Sequence, residues 1–433
     1  MRPLPSGPTT GAGTIPHYSV AGIGAGPANL SFAALAENRV PGRIALFEAS
    51  PGPAWHPGLL NPGTRLQTSW IKDLVSLADP CSRFSFLNYL VRTGRVYGFL
   101  NAQFTAIPRL EYARYLAWAS EELDVVRYGC TIDELDFADD RFVLSGGGDV
   151  LATAEHIVLG IGTVPHVPEC FRAARPGTVV LAEQLAAALT ACPLAPYEQV
   201  IVVGGGQTGA ECVLNLVHRG FRDIRWIGRR HWFAPLDDSP SANDFYRPSY
   251  LRFFQGLPSD VRRQQADRQV LTSDGVSMET LQEIYRTNYE ALLREGRSPV
   301  MMLPGRSVVE VADRHDTTVL WCEREWGGRE RHTAGMVVLA TGRSSPAWPF
   351  AAGLLEQMDV DAAGEPALEL DYSVRWKHDP VNRIFAQNRG RLSHGLADPN
   401  LSLLAVRSAA IVNSLLDRQV FDIRDEHAAT VWS

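Results

Sequence analysis

A chain of 433 residues with 45% hydrophobic and 21% charged side chains carries enough apolar material for two or three packed domains, which excludes a globally disordered protein. Its formal net charge of -7 excludes a broad basic field, so neither nucleic acid nor an anionic membrane is an expected partner, and basic clusters are read as local sites. No run approaches the roughly 18 consecutive apolar residues of a membrane span.

Residues 1–17 are rich in Pro, Gly, Ser and Thr and lack the apolar core of a signal peptide, so a flexible tail on a cytoplasmic protein is expected. Cys81, Cys130, Cys170, Cys192, Cys212 and Cys322 are scattered, with no C-x-x-C pair and no metal-ligand spacing. Reduced thiols and no metal site are expected.

From Tyr18 the pattern runs strand, turn, helix, strand. A short apolar run breaks at Gly22-Ile23-Gly24-Ala25-Gly26-Pro27, a helical stretch follows over residues 28–37, and a second apolar run ends at Glu48. Small residues let the backbone approach a pyrophosphate, and the N–H groups at the helix start favour its charge. Glu48 stands where a carboxylate accepts hydrogen bonds from an adenine ribose. Pro27 occupies the position of the third glycine of G-x-G-x-x-G, and proline is tolerated in a first helical turn. One such turn alone remains compatible with a purely structural role.

A second unit begins in the apolar run at residues 199–203, turns through Gly204-Gly205-Gly206-Gln207-Thr208-Gly209 and enters a helix expected over residues 210–217. Gly204, Gly206 and Gly209 complete the fingerprint. The next strand, residues 224–227, ends at Gly228-Arg229-Arg230 with no acidic residue at the ribose position. Two guanidiniums suit a 2′-phosphate, which favours NADPH over NADH, the alternative being a solvated turn. A pair of fingerprints is more specific than one, because a nicotinamide can then be placed against a flavin. The first turn is expected to hold FAD and the second NADPH.

Two further apolar runs end in glycine turns, at Gly160-Ile161-Gly162 and Ala340-Thr341-Gly342. The expected fold is α/β, with two Rossmann-like dinucleotide-binding domains, the NADPH domain inserted in a discontinuous FAD domain. The FAD domain is expected over residues 18–164 and 334–421, the NADPH domain over 165–333, and a C-terminal tail over 422–433. Within the insert, residues 237–258 read as a long irregular excursion and a candidate wall of the active site, and residues 281–297 read as helix.

Outside the turns, the chain resembles the microbial N-hydroxylating flavin monooxygenases, the lysine and ornithine N-monooxygenases of siderophore biosynthesis. The segments that carry the resemblance are Gly24-Ala25-Gly26-Pro27-Ala28-Asn29-Leu30, Trp55-His56-Pro57-Gly58, Leu66-Gln67-Thr68-Ser69-Trp70-Ile71-Lys72-Asp73-Leu74-Val75, Phe84-Ser85-Phe86-Leu87-Asn88-Tyr89-Leu90, Gly205-Gly206-Gln207-Thr208-Gly209-Ala210-Glu211 and His394-Gly395 with Leu401-Ser402-Leu403. It implies that Pro27 is the family's own residue in the first turn. Lys72 would pair with a substrate carboxylate, Asn243 would hydrogen-bond the substrate, and Gln67 would lie near the flavin ring; these three are the candidate catalytic residues. Trp55 and His56 would lie beside the isoalloxazine, and Ser402 and Leu403 near the flavin and the substrate entrance.

Ser273 falls where ornithine hydroxylases carry an asparagine, and Thr272-Ser273-Asp274-Gly275 is similar to the lysine-hydroxylating branch. The resemblance thus implies N6-hydroxylation of L-lysine with NADPH, FAD and O2, in a homo-oligomer. The alternatives are a diamine or L-ornithine as substrate, another class of flavin monooxygenase, or a non-catalytic flavin or NADPH sensor. A disulfide reductase would need a redox-active cysteine pair, and the cysteine spacing offers none.

Overall fold

Continuous apolar runs that end in glycine turns become central parallel strands, buried on both faces. The computed structural model describes residues 14–191, 194–195, 198–315, 317–361, 364–378, 381–425 and 429–432; most of the expected N-terminal tail and Cys192 lie outside them. Two such strands each nucleate a sheet. His17–Ile23 lies between Ile44–Glu48 and Asp149–Leu159, parallel to both, and Val126–Tyr128 extends the parallel part. Asp149–Leu159 is long enough to serve more partners: its first half pairs antiparallel with Arg141–Gly146, and its end pairs parallel with Ile384–Ala386. Seven strands result, with Glu134–Ala138 at the far edge. The helix Pro27–Ala36 is buried from Ala28 onward, as a helix apolar all round must be, and packs against helices Arg109–Leu123 and Leu404–Leu415.

The second sheet has five parallel strands in the order Val179–Leu181, Met336–Leu339, Val200–Val203, Ile224–Gly228, Val300–Pro304. An antiparallel meander, Arg306–Arg314, Thr317–Arg324 and Arg329–Ala334, carries the chain back to Met336–Leu339. The domain boundary expected at residue 334 therefore moves, because Met336–Leu339 belongs to the second sheet. A buried strand's periodicity does not say which sheet it joins. The crossing lies just beyond. Arg343–Ser344 pairs antiparallel with Val164–Pro165, His166 N donates to Gly342 O at 2.9 Å, and Thr341 Oγ1 donates to His166 O at 2.5 Å. The chain leaves and re-enters the first domain through this two-strand neck.

Two expectations change further. The excursion is not irregular but holds short helices, Pro240–Asn243, Pro248–Gly256, Ser259–Arg268 and Leu271–Asp274. Its Ser and Pro residues start helices: Ser239 Oγ accepts from Ala242 N, and Pro240 and Pro248 occupy first helical positions, where no N–H is needed. Nor does the expected C-terminal tail, over its described residues, stand apart, since Asp425 and Trp432 pack on that excursion. No helix among the described residues is long and apolar enough to cross a membrane.

Candidate active site

The glycines of the first turn divide by what surrounds them. A Cβ on Gly22 would stand 2.4 Å from Leu46 Cδ2, and one on Gly24, whose φ is +91°, would stand 2.4 Å from Gly160 O. The polypeptide itself requires both. Gly26 is different, because its Cβ would meet nothing within 4 Å although the residue N-caps Pro27–Ala36. The open space lies where free N–H groups begin a helix, which fits a pyrophosphate. Beside it, Glu48 is held by Ala25 N on Oε2 at 2.8 Å and by Ser50 N on Oε1 at 2.9 Å. Gly26, Glu48, Ser50, Trp55, Ala117 and Tyr128 line a shallow recess there that is open to solvent. These residues fit the adenosine half of FAD. Gly26→Val is therefore expected to lower flavin content, read from visible absorbance, while far-UV circular dichroism stays unchanged. Full flavin content in that variant would contradict the assignment.

The second turn repeats the logic. Gly204 has φ +138° and would place a Cβ 2.0 Å from Ala340 O; a Cβ on Gly209 would stand 2.0 Å from Gly204 O. Trp226 Nε1 donates to that same carbonyl at 2.8 Å, so Gly209 is the close-packing glycine between helix and strand. Gly206, the N-cap of Gln207–His218, has nothing nearer than Asp274 O at 3.8 Å. The space in front of this helix is open too. Thr208 is half-buried in its first turn, and Arg229 and Arg230 are exposed beyond the next strand. Arg230 Nη1 reaches Asp274 O at 3.5 Å. Gln207 is fully engaged within the protein: Nε2 donates to Glu211 Oε1 at 2.8 Å and Thr280 Oγ1 at 3.3 Å, and Oε1 accepts from Ser277 N at 2.8 Å. It braces the turn against helix Met278–Glu295.

Sequence reasoning missed the residues that fasten these parts together. Asn29, fully buried, donates from Nδ2 to Ile23 O, Gly24 O and Val158 O, and its Oδ1 accepts from Gln387 Nε2 at 2.9 Å. Gln387 Oε1 accepts from Arg407 Nε at 3.0 Å, and Arg407 pairs with buried Asp398 at 2.9 Å. This network ties the first turn to the loop before Ser402. Two polar residues, Asn29 and Ser31, in a helix of otherwise apolar residues were the available signal. Between the domains, Arg109 Nη1 meets Glu211 Oε2 at 2.6 Å and Asn215 Nδ2 donates to Asn61 Oδ1 at 3.0 Å. Burial raises the Glu211 pKa, opposed by Arg109 and Gln207.

Gln67 lies exposed on the edge strand Arg65–Ser69, and Lys72 follows in a turn, half-buried. Burial lowers the Lys72 pKa, and among the described residues no carboxylate pairs with its ammonium. The neighbouring Asp73 is buried, with its carboxylate engaged by Val75 N, Ser76 N, Ser76 Oγ and Phe86 N at 2.7–2.9 Å. Ser31 Oγ donates to Leu74 O at 2.5 Å. The backbone on the C-terminal side of Lys72 is thus fixed, and its charge is left available.

The remaining candidates lie on segments that pack in sequence. The strand of Gln67 touches the turn Leu401–Leu403, where Asn400 Oδ1 accepts from both N and Oγ of Ser402 at 2.8 Å. Leu403 packs in one cluster with Tyr246 and Leu251, and Tyr246 Oη donates to Thr272 O at 2.7 Å, next to Ser273. Three residues before Tyr246, Asn243 is exposed and donates from Nδ2 to Asp238 O and Ser239 O, which leaves Oδ1 free to accept. Ser273 Oγ donates to Asp274 Oδ1 at 2.7 Å.

Trp55 and His56 meet edge to face at 4.8 Å, with Trp55 also against Tyr112 at 5.0 Å. His56 adopts φ 45° before the turn Pro57–Leu59, which approaches so closely that a Cβ on Gly58 would stand 1.7 Å from Glu183 O. Burial, then the charges of Arg343 and Arg109, lower the His56 pKa to about 4. The ring is neutral when folded and has an ordinary pKa near 6.5 when unfolded, so its contribution is complete above about 6.5 and is lost as pH falls toward 4. His56→Asn, which tolerates the left-handed backbone, is expected to lessen the fall in Tm between those values. Identical pH profiles of Tm would contradict this.

Two sheets with parallel centres, each with a glycine turn at the carboxyl end of a central strand and joined by a narrow neck, define a two-dinucleotide oxidoreductase of the flavoprotein type. The family model for L-lysine 6-monooxygenase/L-ornithine 5-monooxygenase matches residues 16–345. L-lysine N6-monooxygenase from Escherichia coli is 33% identical over 420 residues, covering 95% of this chain and 97% of the relative. A putrescine N-hydroxylase from Shewanella oneidensis is 28% identical, covering 92% and 81%. Among solved structures, an ornithine N-hydroxylase from Kutzneria with reduced FAD, NADP+ and L-ornithine superposes with a TM-score of 0.85 at 26% identity, covering 93% of this chain and 99% of that one. The chain belongs to the L-lysine 6-monooxygenase/L-ornithine 5-monooxygenase family. It is a flavin-dependent monooxygenase, and the cofactors of the family are FAD and NADP(H).

Proposed function

We propose that the chain hydroxylates the terminal amine of L-lysine to N6-hydroxylysine for a siderophore or related natural product, with FAD at the first glycine turn and NADPH at the second. One observation carries the choice of an amino acid: Lys72 is a half-buried ammonium with no carboxylate partner among the described residues, on a turn locked by Asp73. A cation left so in a partly dehydrated place favours an anionic ligand group, and the substrate α-carboxylate supplies one.

When bound, FAD reduced by NADPH would activate O2, so that one oxygen atom passes to the amine and the other leaves as water. The chain's residues bind and orient. Lys72 holds the carboxylate, Asn243 Oδ1 accepts a hydrogen bond from the substrate, and Gln67 and Ser402 flank the flavin edge. Ser273, shorter than asparagine, leaves room for a side chain one methylene longer than ornithine. The reacting amine must be neutral, whereas a free lysine ammonium has a pKa near 10.4, so exclusion of water from the site has to favour the uncharged form.

A diamine reading survives beside this one because a putrescine N-hydroxylase is among the relatives. It would leave Lys72 facing a second cation. Comparing kcat/KM for L-lysine, L-ornithine, cadaverine and putrescine tests the choice. L-lysine is expected to lead, and a lead by cadaverine, which differs only by lacking the carboxylate, would overturn it.

A further inference from the structure

Beyond the neck and the packing of Leu403 on Tyr246 and Leu251, the C-terminal segment also joins the first domain to the excursion that carries Asn243. After helix Leu404–Leu415 the chain is pinned to the first core: Phe421 is buried there, and Asn413 Oδ1 accepts from Val420 N and Phe421 N at 2.8 and 2.9 Å. Four residues on, the Asp425 carboxylate accepts from Ser249 N at 3.1 Å, Ser249 Oγ at 2.6 Å, Arg247 Nε at 3.2 Å and Arg252 Nη2 at 3.2 Å. Ser249 is the second residue of helix Pro248–Gly256, so a carboxylate from a remote part of the chain caps that helix where its N–H groups are free. Partial burial opposes ionisation, yet the Ser249 hydrogen bonds and the neighbouring arginines hold the Asp425 pKa below the usual carboxylate range. Further along, Thr430 Oγ1 donates to Asp244 Oδ2, and Trp432 packs edge to face on Tyr250 at 4.7 Å and against Phe253 and Phe245. Asp244 immediately follows Asn243, and Arg247 returns to it at 3.5 Å.

We propose that Asp425, Thr430 and Trp432 are positioning residues, which strap the segment bearing Asn243 to the first domain and so set amine affinity without touching the amine. This rests on the reading that Asn243 contacts substrate. None of the three lies on either glycine turn, so the strap is expected to act first on the amine.

The test uses the full-length holoenzyme and whichever of the four amines gives the highest kcat/KM. Asp425→Ala and Trp432→Ala are each expected to raise the amine KM about tenfold, the scale of a lost charged hydrogen bond at Asp425 or of lost aromatic contacts at Trp432, and to lower hydroxylamine formed per NADPH. Flavin content, the NADPH KM and NADPH oxidation without amine should hold, and Trp432→Phe should restore the amine KM. In the double variant with Asn243→Ala the effects should not add. An unchanged amine KM in either strap variant overturns the proposal, as does additivity or a loss of flavin content in step with activity in both. Asn243→Ala separates the two ideas: if it alone leaves the amine KM unchanged, the substrate-site reading has failed; if it raises the KM and the strap variants do not, only the strap has.

Discussion

Replacing Lys72 with alanine is expected to raise the KM for L-lysine about 30- to 150-fold, the equivalent of about 2–3 kcal/mol for a charged hydrogen bond removed from a partly dehydrated place. The contact is made alike in the ground and transition states, so kcat should fall much less than kcat/KM. Coupling should also suffer, with a larger share of NADPH oxidation ending in hydrogen peroxide, because the amine is no longer held where oxygen is delivered. Asp73 lends weight to a local effect: its four hydrogen bonds fix the backbone whether or not Lys72 keeps its side chain. For cadaverine the same substitution should be neutral or favourable, since it removes a like charge. Steady-state kinetics with both amines decide this, and an unchanged KM for L-lysine would leave Lys72 a structural residue.

The second large effect is expected from Arg229→Ala with Arg230→Ala. Both guanidiniums are exposed beside the open end of the second turn, and the Arg230 guanidinium reaches Asp274 O at 3.5 Å. A 2′-phosphate would take charge-assisted hydrogen bonds from them, worth about 1.5–3 kcal/mol each before solvent screening. The KM for NADPH should rise about 30- to 100-fold, with a steeper dependence on salt in the parent than in the variant. NADH lacks that phosphate, so its kinetics should scarcely change. Equal effects on the two nucleotides would assign the pair to fold stability.

Local patterning made much of this fold legible. Both glycine turns, the apolar strands before them and the helices after them follow from short-range rules, and Gly24 and Gly204 show why, since each has positive φ and no room for a Cβ. What local patterning could not reach were non-local choices. Met336–Leu339 is apolar in either sheet, and only its pairing with Val179–Leu181 and Val200–Val203 assigns it. The excursion reads as irregular because Pro and Ser interrupt its apolar periodicity, yet Ser239, Pro240 and Pro248 start helices there. Within the candidate site, Lys72 was visible through family resemblance, whereas Asn29 acts through Val158 and Gln387, which no local pattern places beside it. The buried Asn29–Gln387 bond spans 358 positions. Gln207 came from the turn motif, but the bonds that engage it to Ser277 and Thr280 depend on a helix that no local pattern places beside it.

If NADPH oxidation by this chain ends in an N-hydroxylated amine, hydroxylamine formed per NADPH consumed with L-lysine between pH 6 and 9 reports it. The ratio is expected to approach one and to rise with pH, because the neutral amine becomes easier to form while the cofactor reaction does not require it. A ratio near zero for L-lysine, L-ornithine, cadaverine and putrescine alike, with NADPH consumed only to peroxide, would contradict the account.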